Sequence, residues 1–296
     1  MKNILLVLLL ISSFTANAQV SVTLKDSLTK QPVSYANIWV LGENIGTTAD
    51  ERGNFTLNNS AANKRIAISC VGFDRKEILF NADLNTIYLK RADNLLKEVS
   101  VTPRLRDKRL VVGKLSKRKD NSYHSNVGYP WISGRFFPFN EKYNQTPYME
   151  TITCFTAGSV KNSKFSIRIY DVNNEGIPGK ILHATPIYGF AKKAKSFTKI
   201  DISQLNLKIP KNGVVIGLEW LIIDENKFDF EYYDPSKPKL KIKRIQYSPS
   251  FISTKLTRNE IGWMYSRGEW RKIINQSDSI RKIPNSAPAI ELTLSN

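Results

Sequence analysis

From Val20 to Val101 apolar residues recur at every second position, in short runs separated by turn formers, the period of half-buried strands. Ala36, Ile38 and Val40 alternate with Tyr35, Asn37 and Trp39, so one face of this run is small and aliphatic and the other semi-polar. Asp50-Glu51-Arg52-Gly53-Asn54 reads as a turn in which Gly53 adopts a positive φ without a Cβ clash. Phe55 and Leu57 then resume the alternation, which predicts a hairpin. Ile66, Ile68 and Cys70 share one face, Gly72 breaks the run, and Ile87 with Leu89 closes a seven-stranded type of sandwich over residues 19–101.

Residues 123–296 again alternate in the manner of strands, at 151–155, 164–170, 197–202, 214–223, 240–247, 261–274 and 289–294. Gly158-Ser159 and Asn173-Asn174-Glu175-Gly176 mark turns between them. This spacing predicts a second, jelly-roll-like β-sandwich. Between the two units, residues 102–122 carry Pro103 and then Arg104, Arg106, Lys108, Arg109, Lys114, Lys117, Arg118 and Lys119 against Asp107 and Asp120. A run of like charges repels itself and stays solvated, which predicts a basic linker serving as a spacer or as a tether to an anionic surface.

Several motifs of the first unit occur together: Asp26-x-x-Thr29-x-x-Pro32-Val33-x-x-Ala36-Asn37-Ile38-x-Val40, Gly46-Thr47-Thr48-x-Asp50-x-x-Gly53-Asn54-Phe55-x-Leu57, Ser69-x-Val71-Gly72-Phe73 and Leu96-Lys97-Glu98-Val99-x-Val101. Over residues 20–101 the chain resembles the carboxypeptidase regulatory-like domain, a transthyretin-like sandwich that also precedes the plug of many TonB-dependent outer-membrane receptors. The resemblance implies a transthyretin/Ig-like N-terminal sandwich and an all-β protein. Phe165-x-Ile167-Arg168-Ile169-Tyr170, Gly176-Ile177-Pro178-Gly179 and Gly217-Leu218-Glu219-Trp220 are similar to the domain that follows such a module in small secreted proteins, and they are structural signatures.

The chain opens with Lys2, an apolar run from Ile4 to Ile11, and Ala16-Asn17-Ala18, the order of a signal peptide spanning residues 1–18. The apolar run is too short to cross a bilayer, no later one reaches the necessary length, and Gln19 stands where a lipoprotein needs cysteine. Export to the periplasm, the outer membrane or the medium is the expectation. A net charge of +18, or +17 once Lys2 leaves, then points to anionic glycans, lipopolysaccharide phosphates or acidic proteins rather than nucleic acid. Cys70 and Cys154 are too few for a disulfide framework and lie in apolar runs; their pairing stays open at this level.

A zinc peptidase needs closely spaced ligands, and His124 and His183 are the sole histidines, neither followed by Glu three positions on; both read as surface or turn residues. Gly-x-Ser-x-Gly elbows, phosphate loops and dinucleotide fingerprints are absent from the sequence. Acids concentrate at Glu219, Asp224, Glu225, Asp229, Glu231 and Asp234, interleaved with Trp220, Tyr232 and Tyr233. Glu219, Trp220, Asp224, Asp229, Tyr232 and Tyr233 are therefore candidate ligand-binding residues: aromatic faces stack on sugars, and the acids bind hydroxyls or calcium. The alternative is that Trp220 is core, Glu219 pairs with a nearby Lys and the remaining acids decorate a loop. Trp131, Trp263, Tyr265 and Trp270 offer a second, weaker set of aromatic platforms. No residue is assigned catalysis. The sequence predicts a non-enzymatic binding or assembly module of a bacterial cell envelope, with carbohydrate binding as the alternative and glycan cleavage third.

Overall fold

The computed structural model describes residues 19–296 apart from 82, 93–103, 105, 114, 116–121, 127, 235, 258–259 and 274–285. The export segment 1–18, the Leu96–Val101 motif and Lys114, Lys117, Arg118, Lys119 and Asp120 of the basic stretch lie outside the described residues. What is described is all-β, with helical structure confined to short 3-10 turns such as Asn59–Ala61 and Asp224–Asn226. Among the described residues, no helix is long and apolar enough to cross a membrane.

The first unit comprises β1 (Gln19–Asp26), β2 (Asn37–Val40), β3 (Gly46–Thr48), β4 (Asn54–Asn58), β5 (Arg65–Ser69), β6 (Lys76–Leu79) and β7 (Thr86–Leu89). They form a three-stranded sheet, β4-β1-β7, facing a four-stranded sheet, β3-β2-β5-β6. Val22, Leu24, Ile38, Val40, Phe55, Ile66, Ile68 and Leu89 fill the space between, each from an alternate position of its strand. The expected hairpin around Gly53 is not one. Gly53 does take φ +77°, but β3 and β4 belong to different sheets, so the turn carries the chain across the sandwich. β4 pairs instead with β1, Val22 lying opposite Phe55.

The second unit is built from β8 (Arg109–Val112), β9 (Ser122–Asn126), β10 (Ile132–Phe137), β11 (Tyr148–Gly158), β12 (Ser163–Val172), β13 (Pro178–Ile181), β14 (Ile187–Ala191) and β15 (Ala194–Asp201). It continues through β16 (Val214–Trp220), β17 (Lys227–Asp234), β18 (Lys237–Lys255), β19 (Gly262–Ser266), β20 (Glu269–Ile273), β21 (Ser286–Pro288) and β22 (Ile290–Ser295). One sheet runs β13-β12-β16-β10-β19-β20 with β14 on β12. The other runs β17-β18-β11-β22-β8, with β15 on β11 and with β9 and β21 on β18. Phe165, Ile167, Ile169, Ile216, Leu218 and Trp220 from one sheet meet Ile152, Cys154, Phe251, Leu292 and Leu294 from the other.

Part of the stretch read as a solvated linker is sheet. Leu110 and Val112 of β8 pack against the main core while β8 pairs with β22, and the Arg109 guanidinium forks onto Glu150 at 2.9 and 3.0 Å. Leu110 and Val112 supply an alternating apolar pair that the surrounding cations mask in the sequence. The segment 261–274 is not one strand but the β19–β20 hairpin, turning at Arg267-Gly268, both with positive φ.

Candidate functional site

The structure separates the six candidate residues. Glu219 and Trp220 lie on β16, a strand buried along its whole length. Trp220 points between the sheets, fully buried, stacked on Trp131 at 4.2 Å, with its indole N–H donating to the Pro249 carbonyl at 2.7 Å. It cannot offer a face to a sugar. Glu219 points the other way and pairs with Arg168 at 2.6 Å, also fully buried. Asp224 sits on an exposed 3-10 turn near Lys227, and Asp229, Tyr232 and Tyr233 follow on β17, at the far edge of the opposite sheet. Among the described residues no three His, Cys, Asp or Glu side chains come together in a way that could hold a metal ion.

Side chains do converge where the two sandwiches meet. β2 is buried on both faces: Ile38 and Val40 enter their own core, while Asn37 and Trp39 press on the second unit. Trp39 joins Ile132, Tyr170, Val215, Trp263 and Tyr265 in a separate apolar cluster, and its indole donates to the Pro130 carbonyl at 2.8 Å. Asn37 donates to the Trp220 carbonyl at 3.3 Å, and the Ile222 amide donates to the Thr48 hydroxyl at 2.8 Å. Arg168 reaches from β12 to the Ser69 hydroxyl at 2.7 Å. The semi-polar face of the Ala36–Val40 run is thus a domain interface, not a solvated one.

At one end of this interface the two units leave a cavity of about 500 Å³. Phe73, Asp74 and Arg75 line it from the first unit, and Arg168, Tyr170, Lys180, Tyr265 and Trp270 from the second. The Trp270 ring stands edge-to-face to Tyr170 at 5.0 Å and to Tyr265 at 5.2 Å. Arg75 is held by the Tyr265 hydroxyl at 2.5 Å and by Glu77 at 2.7 Å. Burial pulls the Arg168 guanidinium down, but the charges of Glu219, Tyr170 and Cys70 outweigh it and keep Arg168 above its ordinary value. Arg168 therefore stays charged at the cavity wall. Tyr265 and Trp270 belong to the weaker aromatic set of the sequence; Arg75 and Arg168 carried no local signal of the cavity, because each reaches a partner in the other domain, Tyr265 and Ser69.

His183 lies inside the second unit rather than on its surface, and His124 is partly buried on β9. His183 is buried, donates from Nδ1 to the Thr185 carbonyl at 2.8 Å and accepts at Nε2 from the Ile169 amide at 3.2 Å. Burial lowers it to about 4. His124 bridges Ser133 at 2.7 Å and Ser286 at 3.3 Å, and burial lowers it likewise to about 4. Cys70 and Cys154 are both buried and free, one in each unit; burial raises the Cys70 thiol to about 11 and the Cys154 thiol further.

The residues that fix the first sandwich's turns are those of its motifs. Asp26 accepts from the Leu28 amide at 2.9 Å and from Arg91 at 2.7 Å, contacts that hold its carboxyl down at about 2. Asp50 accepts from the Arg52 and Asn54 amides, and Gly72 takes φ +88°. Residues 21–101 match the CarboxypepD_reg-like domain. This regulatory-like domain supplies one wall of the cavity through Phe73, Asp74 and Arg75. No curated protein matches the chain. Among solved structures, it is similar at 12% identity to the cysteine protease and lectin-like domains of Cwp84, a surface-layer-associated protein of Clostridium difficile (TM-score 0.37). That likeness covers 60% of this chain, which spans 37% of the other. A structure of clostridial Cwp84 after propeptide cleavage is similar at 12% identity with a TM-score of 0.40, over 96% of this chain and 73% of that one.

Proposed function

We propose that this chain is an exported, non-enzymatic binding module of a bacterial cell envelope that holds an acidic saccharide in the cleft between its two sandwiches. The observation that carries this reading is the cavity of about 500 Å³ at the domain junction, which Trp270, Arg75 and Lys180 line together. Pockets at domain interfaces lined by aromatic rings and a few placed polar groups are the usual seats of small ligands. A sugar ring stacks on Trp270 while a uronate or sulfate group meets the guanidinium and ammonium. Asp74 is the one carboxylate among the described residues lining the cavity, and Glu219 behind it is engaged by Arg168. Binding is therefore supported over hydrolysis, which calls for a pair of carboxylates. The signal-like residues 1–18 and the +18 charge support an exported protein with an anionic partner.

The test is calorimetric titration of residues 19–296 with acidic and neutral oligosaccharides, alongside the Trp270→Ala variant. Saturable binding of acidic sugars, weakened more than tenfold in the variant, is expected. Equal affinity in the variant, or no saturable binding, overturns the proposal.

A further inference from the structure

The β17–β18 hairpin leaves the body of the second sandwich as a two-stranded ribbon. β17 is the last strand of its sheet, hydrogen-bonded on one edge to β18, and none of the described residues from Phe228 to Gln246 joins any of the buried apolar clusters. An isolated two-stranded ribbon is marginal in water, and an exposed apolar edge invites a partner. Phe228, Phe230 and Tyr232 alternate along β17, opposite Gln246, Arg244 and Ile242 of β18, and cross-strand partners share a face. Leu240 continues that face by alternation. The rings pack on one another, Phe230 to Tyr232 at 5.9 Å, with the Arg244 guanidinium 5.3 Å over Tyr232. Phe230 and Leu240 stay 39% and 48% exposed.

The opposite face carries Lys227, Lys239, Lys241 and Lys243 against Asp229 and Glu231, with Tyr233 and Ile245 exposed among them and with Lys241 and Lys243 both on Glu231. The ribbon is thus mainly apolar on one side, where Arg244 is the cation, and mainly cationic on the other, and Lys237, Lys239, Lys241, Lys243 and Arg244 fall within one short stretch of β18. Amphipathic elements of this composition lie in the plane of a bilayer surface, aromatic side down, with lysine stems reaching to phosphates. The free edge of β17 also sets the depth: its backbone groups need water or headgroups, so the ribbon rests at the boundary and does not enter the hydrocarbon.

We propose that the β17–β18 ribbon docks this protein on an anionic phospholipid bilayer, seating Phe228, Phe230, Tyr232, Leu240 and Ile242 at the headgroup boundary while its lysines meet the lipid phosphates. The reading is independent of the interdomain cleft. It is tested by flotation of residues 19–296, which omit the apolar opening segment, with vesicles of phosphatidylcholine alone or with a third of phosphatidylglycerol. Binding to the anionic vesicles more than tenfold above the neutral ones is expected, weakened by salt. The double variant Phe230→Ser/Leu240→Ser keeps every charge and alters exposed side chains only; its thermal midpoint is expected to be unchanged and its vesicle binding reduced more than tenfold. Equal binding by the variant assigns lipid affinity to the general basic surface and overturns the proposal. So does sedimentation showing that the ribbon residues mediate self-association of a chain that ignores vesicles.

Discussion

Acidification should loosen this protein through His183 well before its carboxylates titrate. In the folded chain the imidazole is fixed as the Nδ1–H tautomer, donating to Thr185 and accepting from the Ile169 amide. A second proton on Nε2 would set two donors against each other in a buried site. The folded value of about 4 lies below the ordinary 6.5, so the unfolded chain binds a proton that the folded chain refuses. The stabilisation is fully present above pH 6.5 and is lost as pH falls toward 4. With a shift of this size the loss is about 2 kcal/mol by pH 5 and about 3 kcal/mol by pH 4, a sizeable part of a domain's margin. Urea unfolding at pH 7.5, 6 and 5, wild type beside His183→Gln, reads it directly. The glutamine side chain accepts a hydrogen bond but does not titrate, so the variant should lose about 2 kcal/mol less than wild type between pH 7.5 and 5. His124 contributes in the same direction to both proteins and cancels in the difference. Parallel loss of stability in the two proteins, or an NMR titration of His183 at its ordinary value, refutes the reasoning.

Removing Arg168 while leaving Glu219 strands a carboxylate in the interface: Arg168→Met should lower stability by about 3–5 kcal/mol in urea unfolding, and Arg168→Met/Glu219→Leu should recover most of it. Because both thiols are buried and pushed upward, Cys70 and Cys154 should resist an aromatic disulfide reagent at pH 8 in the native protein and both react in denaturant. Rapid labelling of either in native buffer would contradict the burial.

The two sandwiches were legible because alternation is a local signal, and Val22, Leu24, Phe55 and Leu57 point inward as that alternation requires. The candidate site was not legible, for two reasons. Glu219 and Trp220 are neighbours in sequence but project from opposite faces of β16, so their adjacency carried no spatial meaning. In β17 the acids drew attention away from the period-two pattern of Phe228, Phe230 and Tyr232, and a strand was read as an acidic cluster. The cavity depends on which face of β2 meets which face of β12 and β16. Arg168 and Ser69, or Arg75 and Tyr265, are partners that no sequence period announces.

Three of the hydrogen bonds across the junction are lopsided. Asn37, Trp39 and Thr48 of the regulatory-like domain use their side chains, yet they grip main-chain atoms of Trp220, Pro130 and Ile222. A peptide carbonyl or amide survives any replacement of its own residue, apart from proline at a donor. Drift in the second sandwich can therefore leave these bonds intact, while a change at positions 37, 39 or 48 has no matching side chain across the junction able to compensate. Between diverging relatives, these three bonds should leave their record at positions 37, 39 and 48, whereas the side-chain pairs Arg168–Ser69 and Arg75–Tyr265 should change on both sides of the joint together.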